Sequence, residues 1–148
     1  MLVHLLPLLA PVAFVAMAAF IHIRRDVPLL RATLLGEAAA LAAFAVALVS
    51  FVTLIIYGAG DSPLIGLFGV GLSARVDVVS VTMLLLVTFI GWVVVRYART
   101  YLDGEAGQRT FAVWMLVTLA AVALLVQSGN VVQFVAAWIA TSLSLHKL

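Results

Sequence analysis

Four stretches of this sequence contain no Asp, Glu, Lys or Arg: residues 1–23, 38–60, 78–95 and 110–146. A bilayer core about 30 Å thick takes about 20 helical residues to cross. Each of the first three runs is the length of one crossing. The fourth is too long for one helix and divides at Ser128-Gly129-Asn130, a turn tripeptide. The spacing predicts five transmembrane helices, at about 3–23, 34–57, 78–97, 111–127 and 131–148. In lipid every backbone polar group must be satisfied within the segment, so such runs are helices. A barrel strand would alternate, and Leu84-Leu85-Leu86-Val87 does not. The expected fold is an all-α integral membrane bundle forming a single membrane domain over residues 1–148.

Composition agrees. The chain is 66% hydrophobic and 9% charged, against about 45–50% and about 25% in soluble domains. This excludes an ordinary soluble domain, a disordered tail and a nucleic-acid module. There are no cysteines, which excludes disulfides, zinc-thiolate sites and thiol nucleophiles. Ala16-Met17-Ala18 looks like a signal-peptide cleavage site, but no Lys or Arg precedes the apolar stretch and Arg24-Arg25 follow it. A signal peptide has the opposite order, so residues 1–23 are read as a retained helix.

The loops set an orientation. Arg24, Arg25 and Arg31 lie in the first connection and Arg96, Arg99 and Arg109 in the third, whereas the second carries only Arg75. The positive-inside rule places the two arginine-rich loops in the cytoplasm and the N-terminus outside. Loop 58–77 is apolar around Pro63–Val70 and rich in glycine, which argues against a helix and for an interfacial or strand-like segment on the outer face. Lys147 and Leu148 leave no polar loop after the fifth helix. The chain is therefore expected to be the N-terminal part of a longer protein.

Intramembrane ionisable residues are the first functional candidates in such a chain. Glu37 falls early in helix 2, either as a carboxylate wetted by the interface and favoured by the helix N-terminus or as a proton-accessible group facing a groove. His4, His22, Arg96 and Arg99 read as interfacial. Arg75 and Asp77 lead into helix 3, where an anion favours the helix start. Helix 5 is the most polar: Trp138, Ser142 and His146 recur at i, i+4 and i+8 and share a stripe, with Thr141 beside it and Lys147 after it. Small hydroxylated residues serve close helix packing. A stripe ending in histidine equally suits a proton path. No P-loop, dinucleotide fingerprint, nucleophile–base set or metal-ligand spacing is present in the sequence.

From residue 75 onward the sequence resembles a known superfamily. Arg75-Val76-Asp77, Ser80, Thr82-Met83-Leu84, Val87-Thr88, Gly91, the loop Gly104-Glu105-Ala106-Gly107 with Arg109-Thr110-Phe111, Asn130 and Trp138 are similar to the antiporter-like subunits. These are the large proton-translocating subunits of NADH:quinone oxidoreductase (complex I) and of multi-subunit cation/proton antiporters. Within it, Phe89-Ile90-Gly91-Trp92, Tyr101-Leu102-Asp103-Gly104 and Trp138 through Leu148 resemble the DabB-like membrane subunits of inorganic-carbon transporters. That resemblance implies a bacterial inner-membrane transport subunit, not an enzyme. It would use an H+ or Na+ gradient to drive a DabA-like, zinc-containing, carbonic-anhydrase-related partner on the cytoplasmic side. It implies no cofactor in this chain and no nucleic-acid partner. The alternatives are a proton-translocating subunit of complex I or of an antiporter, and a truncated scaffold without transport.

One position separates the branches. The complex I and antiporter subunits carry a glutamate directly after the helix-5 tryptophan, and here that residue is Ile139. His146 lies seven residues later, about 10 Å along nearly the same face. The candidate ion path is therefore His146, Lys147, Ser142, Thr141 and Glu37, with Arg75, Asp77, Asn130 and Trp138 as structural motif residues.

Overall fold

The computed structural model describes residues 2–68 and 70–148. A 3-10 segment, Leu2–Leu8, leads into α1, Leu9–Ile23. The change of helix type coincides with Pro7, inside the 3-10 segment, and with Pro11 in the first turn of α1. Proline supplies no amide to an α-helical ladder and is tolerated best near a helix start. The remaining helices are α2, Leu29–Tyr57; α3, Val78–Tyr101; α4, Gln108–Val126; and α5, Val131–Lys147.

Several boundaries differ from those expected. The second helix opens at Leu29 instead of 34, directly after Pro28, so Arg31 lies in its first turn. The third continues to Tyr101 and the fourth begins at Gln108. Hydropathy marks where lipid ends, and these helices run on past that limit with polar residues. α2 has 29 residues, about 44 Å at 1.5 Å per residue, which exceeds the bilayer core.

Val3–Ile23, Leu29–Tyr57, Val78–Tyr101 and Gln108–Val126 are each long and apolar enough to cross a membrane. α5, with 17 residues, spans about 25 Å. The chain is a multi-pass helical membrane protein. α1, α2, α3 and α4 each pack on the next, and α4 returns to α1, so these four close a bundle; α5 packs on α4. Alanine makes the close approaches: Ala40, Ala43 and Ala47 of α2 and Ala123 of α4 are fully buried. Phe14, Ile21, Leu84 and Leu116 fill the space between them. Small residues at helix seams suit association in lipid, where burying apolar surface gives no advantage over the acyl chains.

The connection from α2 to α3 is strand-like, as expected, and forms two small antiparallel pairs. β1 (Gly60–Asp61) pairs with β4 (Arg75–Val76), and β2 (Ile65–Leu67) pairs with β3 (Val70–Leu72). The Arg75 amide donates to the Gln127 carbonyl at 2.9 Å and the Gly129 amide to that of Ser73 at 3.3 Å. The strand before α3 is thereby tied to the turn between α4 and α5. The ring of His4 packs against Gly60, where an added Cβ would lie 2.8 Å from His4 Nε2.

Candidate functional site

Twenty residues separate Glu37 from Tyr57 at the end of α2, about 30 Å of helix and about the thickness of the bilayer core. The similar interval from Asp77 to Arg96 carries α3 across in the opposite sense. Two adjacent antiparallel helices thus bring Glu37, Arg96 and Arg99 to one depth at the arginine-rich end. Arg99 Nη1 lies 3.0 Å from Glu37 Oε2, and Arg96 Nε lies 3.9 Å from Oε1. The Glu37 side chain is 17% exposed, Arg99 27% and Arg96 61%. The Arg99 approach is off the hydrogen-bond direction, so Oε2 is paired in charge but makes no directed bond.

The surroundings hold this group in place. The Arg96 guanidinium stands over the Trp92 ring at 5.8 Å. Phe89 lies between Trp92 and Phe44 of α2, with centroids 6.3 and 5.6 Å away. Gln108, at the start of α4, is buried and donates from Nε2 to the Arg99 carbonyl at 3.2 Å. Its Oε1 is buried without a hydrogen-bond partner among the described residues. Glu37 is therefore neither only a helix-start carboxylate nor an isolated one: it joins two arginines that the sequence reading assigned to topology alone. Depth matching between consecutive spans was the available signal.

Arg109 also does more than mark a side. Its guanidinium donates to the carbonyls of Ile21 at 3.4 Å, Arg24 at 3.2 Å and Val27. These carbonyls lie in the last turn of α1 and the loop after it, where helix geometry leaves acceptors free. The sequence offered no direct sign of this pairing, because 82 to 88 residues separate the partners.

At the opposite end two of the motif residues cap helices. Asp77 caps α3: Oδ1 accepts from the Ser80 amide at 2.7 Å, and Arg75 Nε lies 2.9 Å from Oδ2. The Ser80 amide bond, assisted by Arg75, holds the Asp77 carboxyl below its ordinary value. Asn130 caps α5 by accepting the Gln133 amide at 2.7 Å, while its Nδ2 donates to the Gly71 carbonyl at 2.9 Å. Gln133 Oε1 accepts the Ser73 amide at 2.8 Å. The buried glutamines Gln108, Gln127 and Gln133 were not singled out from sequence, because glutamine in a helix carries no periodic signature.

The helix-5 stripe lies on the side of α5 turned away from α4. Trp138, Ser142 and His146 do share a face, and that face is exposed, as are Ile139 and Lys147. The face against α4 presents Gln133, Ala137 and Ser144, with Thr141 half-buried. The Thr141 hydroxyl donates to the Ala137 carbonyl at 2.8 Å and that of Ser144 to the Thr141 carbonyl at 3.0 Å. Smaller side chains permit the closer approach, so they face α4 and tryptophan faces away. Glu37 meets α3, whereas α5 packs on α4 and β3. Glu37 and the polar residues of α5 therefore sit on elements whose main neighbours differ.

Comparison with known proteins accords with the resemblance read from residues 75–148. Residues 63–112 match the family described as the N-terminus of chain 5 of NADH-ubiquinone oxidoreductase (complex I). Over 74 residues, 49% of the chain, it is 40% identical to the probable inorganic carbon transporter subunit DabB of Hydrogenovibrio crunogenus. Over 114 residues, 72% of the chain, it is 37% identical to the probable inorganic carbon transporter subunit DabB2 of Halothiobacillus neapolitanus. The matched stretches cover 14% and 20% of those relatives, so the chain spans a small part of their length. On these matches the chain is similar to DabB inorganic-carbon transporter subunits and, through residues 63–112, to the N-terminus of complex I chain 5.

Proposed function

We propose that this chain serves in the membrane subunit of an inorganic-carbon transporter, in which an H+ or Na+ gradient drives uptake of CO2 or bicarbonate. The observation that carries this reading is the 40% identity to a probable inorganic carbon transporter subunit. The closed four-helix bundle supplies a membrane-embedded scaffold. The carboxylate Glu37, shared between Arg99 and Arg96, is a group that can exchange a guanidinium partner for an arriving proton or sodium ion. His146, Lys147, Ser142 and Thr141 form a second candidate group on α5. In this reading the arginine-rich end faces the cytoplasm of a bacterial cell, following the positive-inside rule.

The hydration chemistry belongs, in this proposal, to a DabA-like zinc-containing partner docked on the cytoplasmic side. The donors available in this chain support that division. There are no cysteines, and His4, His22 and His146 lie on three different elements.

A second reading is a proton-translocating antiporter-like subunit of complex I type, favoured by the family match at residues 63–112. One experiment separates the two. The full-length protein is expressed with and without the zinc-type partner in cells lacking carbonic anhydrase, and uptake of labelled inorganic carbon is measured. The proposal expects uptake that requires both subunits. Absence of uptake, together with copurification with quinone-oxidoreductase subunits, would establish the second reading instead.

A further inference from the structure

The seam between α1 and α4 opens at the arginine-rich end into a cleft lined by His22, Arg25, Arg109, Thr110, Val113 and Trp114. Two guanidinium groups and an imidazole line it, and no carboxylate does. Among the described residues neither Arg25 nor Arg109 has an acidic partner within 4.0 Å. The nearby Asp26 is engaged by Arg24 at 3.8 Å. The charge of Arg109 is also retained, because its three acceptors are neutral carbonyls. Those same bonds fix its position at the mouth of the cleft.

The charges occupy only the upper part. Trp114 follows Arg109 by five residues, about 7.5 Å deeper along α4. It is half-buried, and Val113 lies beside it. Arg109 and Thr110 stand in the first turn of α4, so the positive end of its helix dipole lies beside the cleft. The cleft is thus cationic at the headgroup level and apolar one to two turns below. A free inorganic anion would use only the first half. A phosphodiester headgroup with attached acyl chains matches both, as basic clefts between membrane helices do.

We propose that this cleft is a binding site for an anionic phospholipid, with its phosphate between Arg25 and Arg109 and an acyl chain along Val113 and Trp114. The site is separate from Glu37 and independent of the transport reading. In a full-length Trp92→Phe/Trp138→Phe variant, with any further tryptophans of the full chain also replaced by phenylalanine, Trp114 becomes the sole reporter. Its quenching is measured with acyl-brominated phosphatidylglycerol and with acyl-brominated phosphatidylcholine. Phosphatidylglycerol is expected to be preferred, and Arg25→Gln to reduce that preference about fivefold, the effect of one charge near the membrane surface. Arg25→Lys should keep most of it. Equal quenching by the two lipids, or a preference unaltered by Arg25→Gln, would overturn the proposal. Displacement by millimolar inorganic phosphate would assign the site to a free anion and overturn it equally. Native mass spectrometry of the unaltered full chain gives a second readout: phosphatidylglycerol should be retained over phosphatidylcholine, and indifference between them would contradict the site.

Discussion

Glu37 on α2 and Arg99 on α3 approach to 3.0 Å at the arginine-rich end of the bundle, with Arg96 0.9 Å more distant on the other carboxylate oxygen. Arg99 is also the less exposed of the two arginines. A double-mutant cycle in the full-length protein should therefore give a larger coupling for Glu37 with Arg99 than with Arg96. The expected size is about 1–2 kcal/mol for Arg99, between the values for exposed and buried pairs, and below about 0.5 kcal/mol for Arg96. Reversible unfolding in mixed micelles measures both. Equal couplings would show that the pair does not hold α2 against α3.

Arg109 serves three carbonyls at and beyond the end of α1. Arg109→Ala should destabilise by about 2–3 kcal/mol, as expected for losing charge-assisted hydrogen bonds. Arg109→Lys should recover less than half, because an ammonium lacks the planar fork. Hydrogen exchange should rise in the last turn of α1 and the loop to α2, with α5 unchanged.

Asp77 titrates with a sign that geometry fixes. Its carboxyl is held below the ordinary value of 3.8 by the Ser80 amide and Arg75. Its stabilising contribution is therefore complete above about pH 4 and is lost as pH falls through the lowered folded value. Thermal unfolding of the wild type should show this acid loss, and Asp77→Asn should flatten it while keeping a cap. Asp77→Ala should cost about 1 kcal/mol at neutral pH.

Asn130 joins the start of α5 to β3 and the residue after it through Gly71 and Ser73. Asn130→Ala should cost about 1–2 kcal/mol, the sum of a lost cap and a lost, partly buried bond. Gly71→Ala should also loosen this end, because an added Cβ collides with the Ile65 carbonyl across the hairpin. Protease nicking within 58–77 should increase in both variants.

The sequence carried the membrane class, the helix count, the anion at the start of α3 in Asp77 and the turn ending at Asn130, because each rests on local signals: charge-free length, a charge at a helix start and a turn tripeptide. It carried much less about which groups meet. The Glu37–Arg99 pair depends on α2 and α3 being adjacent and matched in depth, and Arg109 on a return of α4 to α1. Neither is local. The helix-5 stripe was periodic as read, yet periodicity names a face without saying what it meets. Ala137 and Ser144 took the packed side because they are small, and Trp138, Ser142 and His146 were left exposed.

His146 tests how far that exposed face takes part in transport. If it relays protons, His146→Gln in the full-length protein should lower inorganic-carbon uptake several-fold while leaving the complex with its partner intact. Unchanged uptake with an intact complex would remove it from the ion path and leave Glu37, Lys147, Ser142 and Thr141 as candidates.

The most direct test of cation-coupled transport is uptake of labelled inorganic carbon in cells expressing the full-length subunit and its partner, before and after the ion gradient is dissipated. A protonophore collapses one gradient and sodium-free medium with a sodium ionophore removes the other. Uptake should fall to the level of cells lacking the partner in one of these two conditions, and Glu37→Gln should reproduce much of that loss with both gradients intact. Uptake that persists after both gradients are removed would contradict the account.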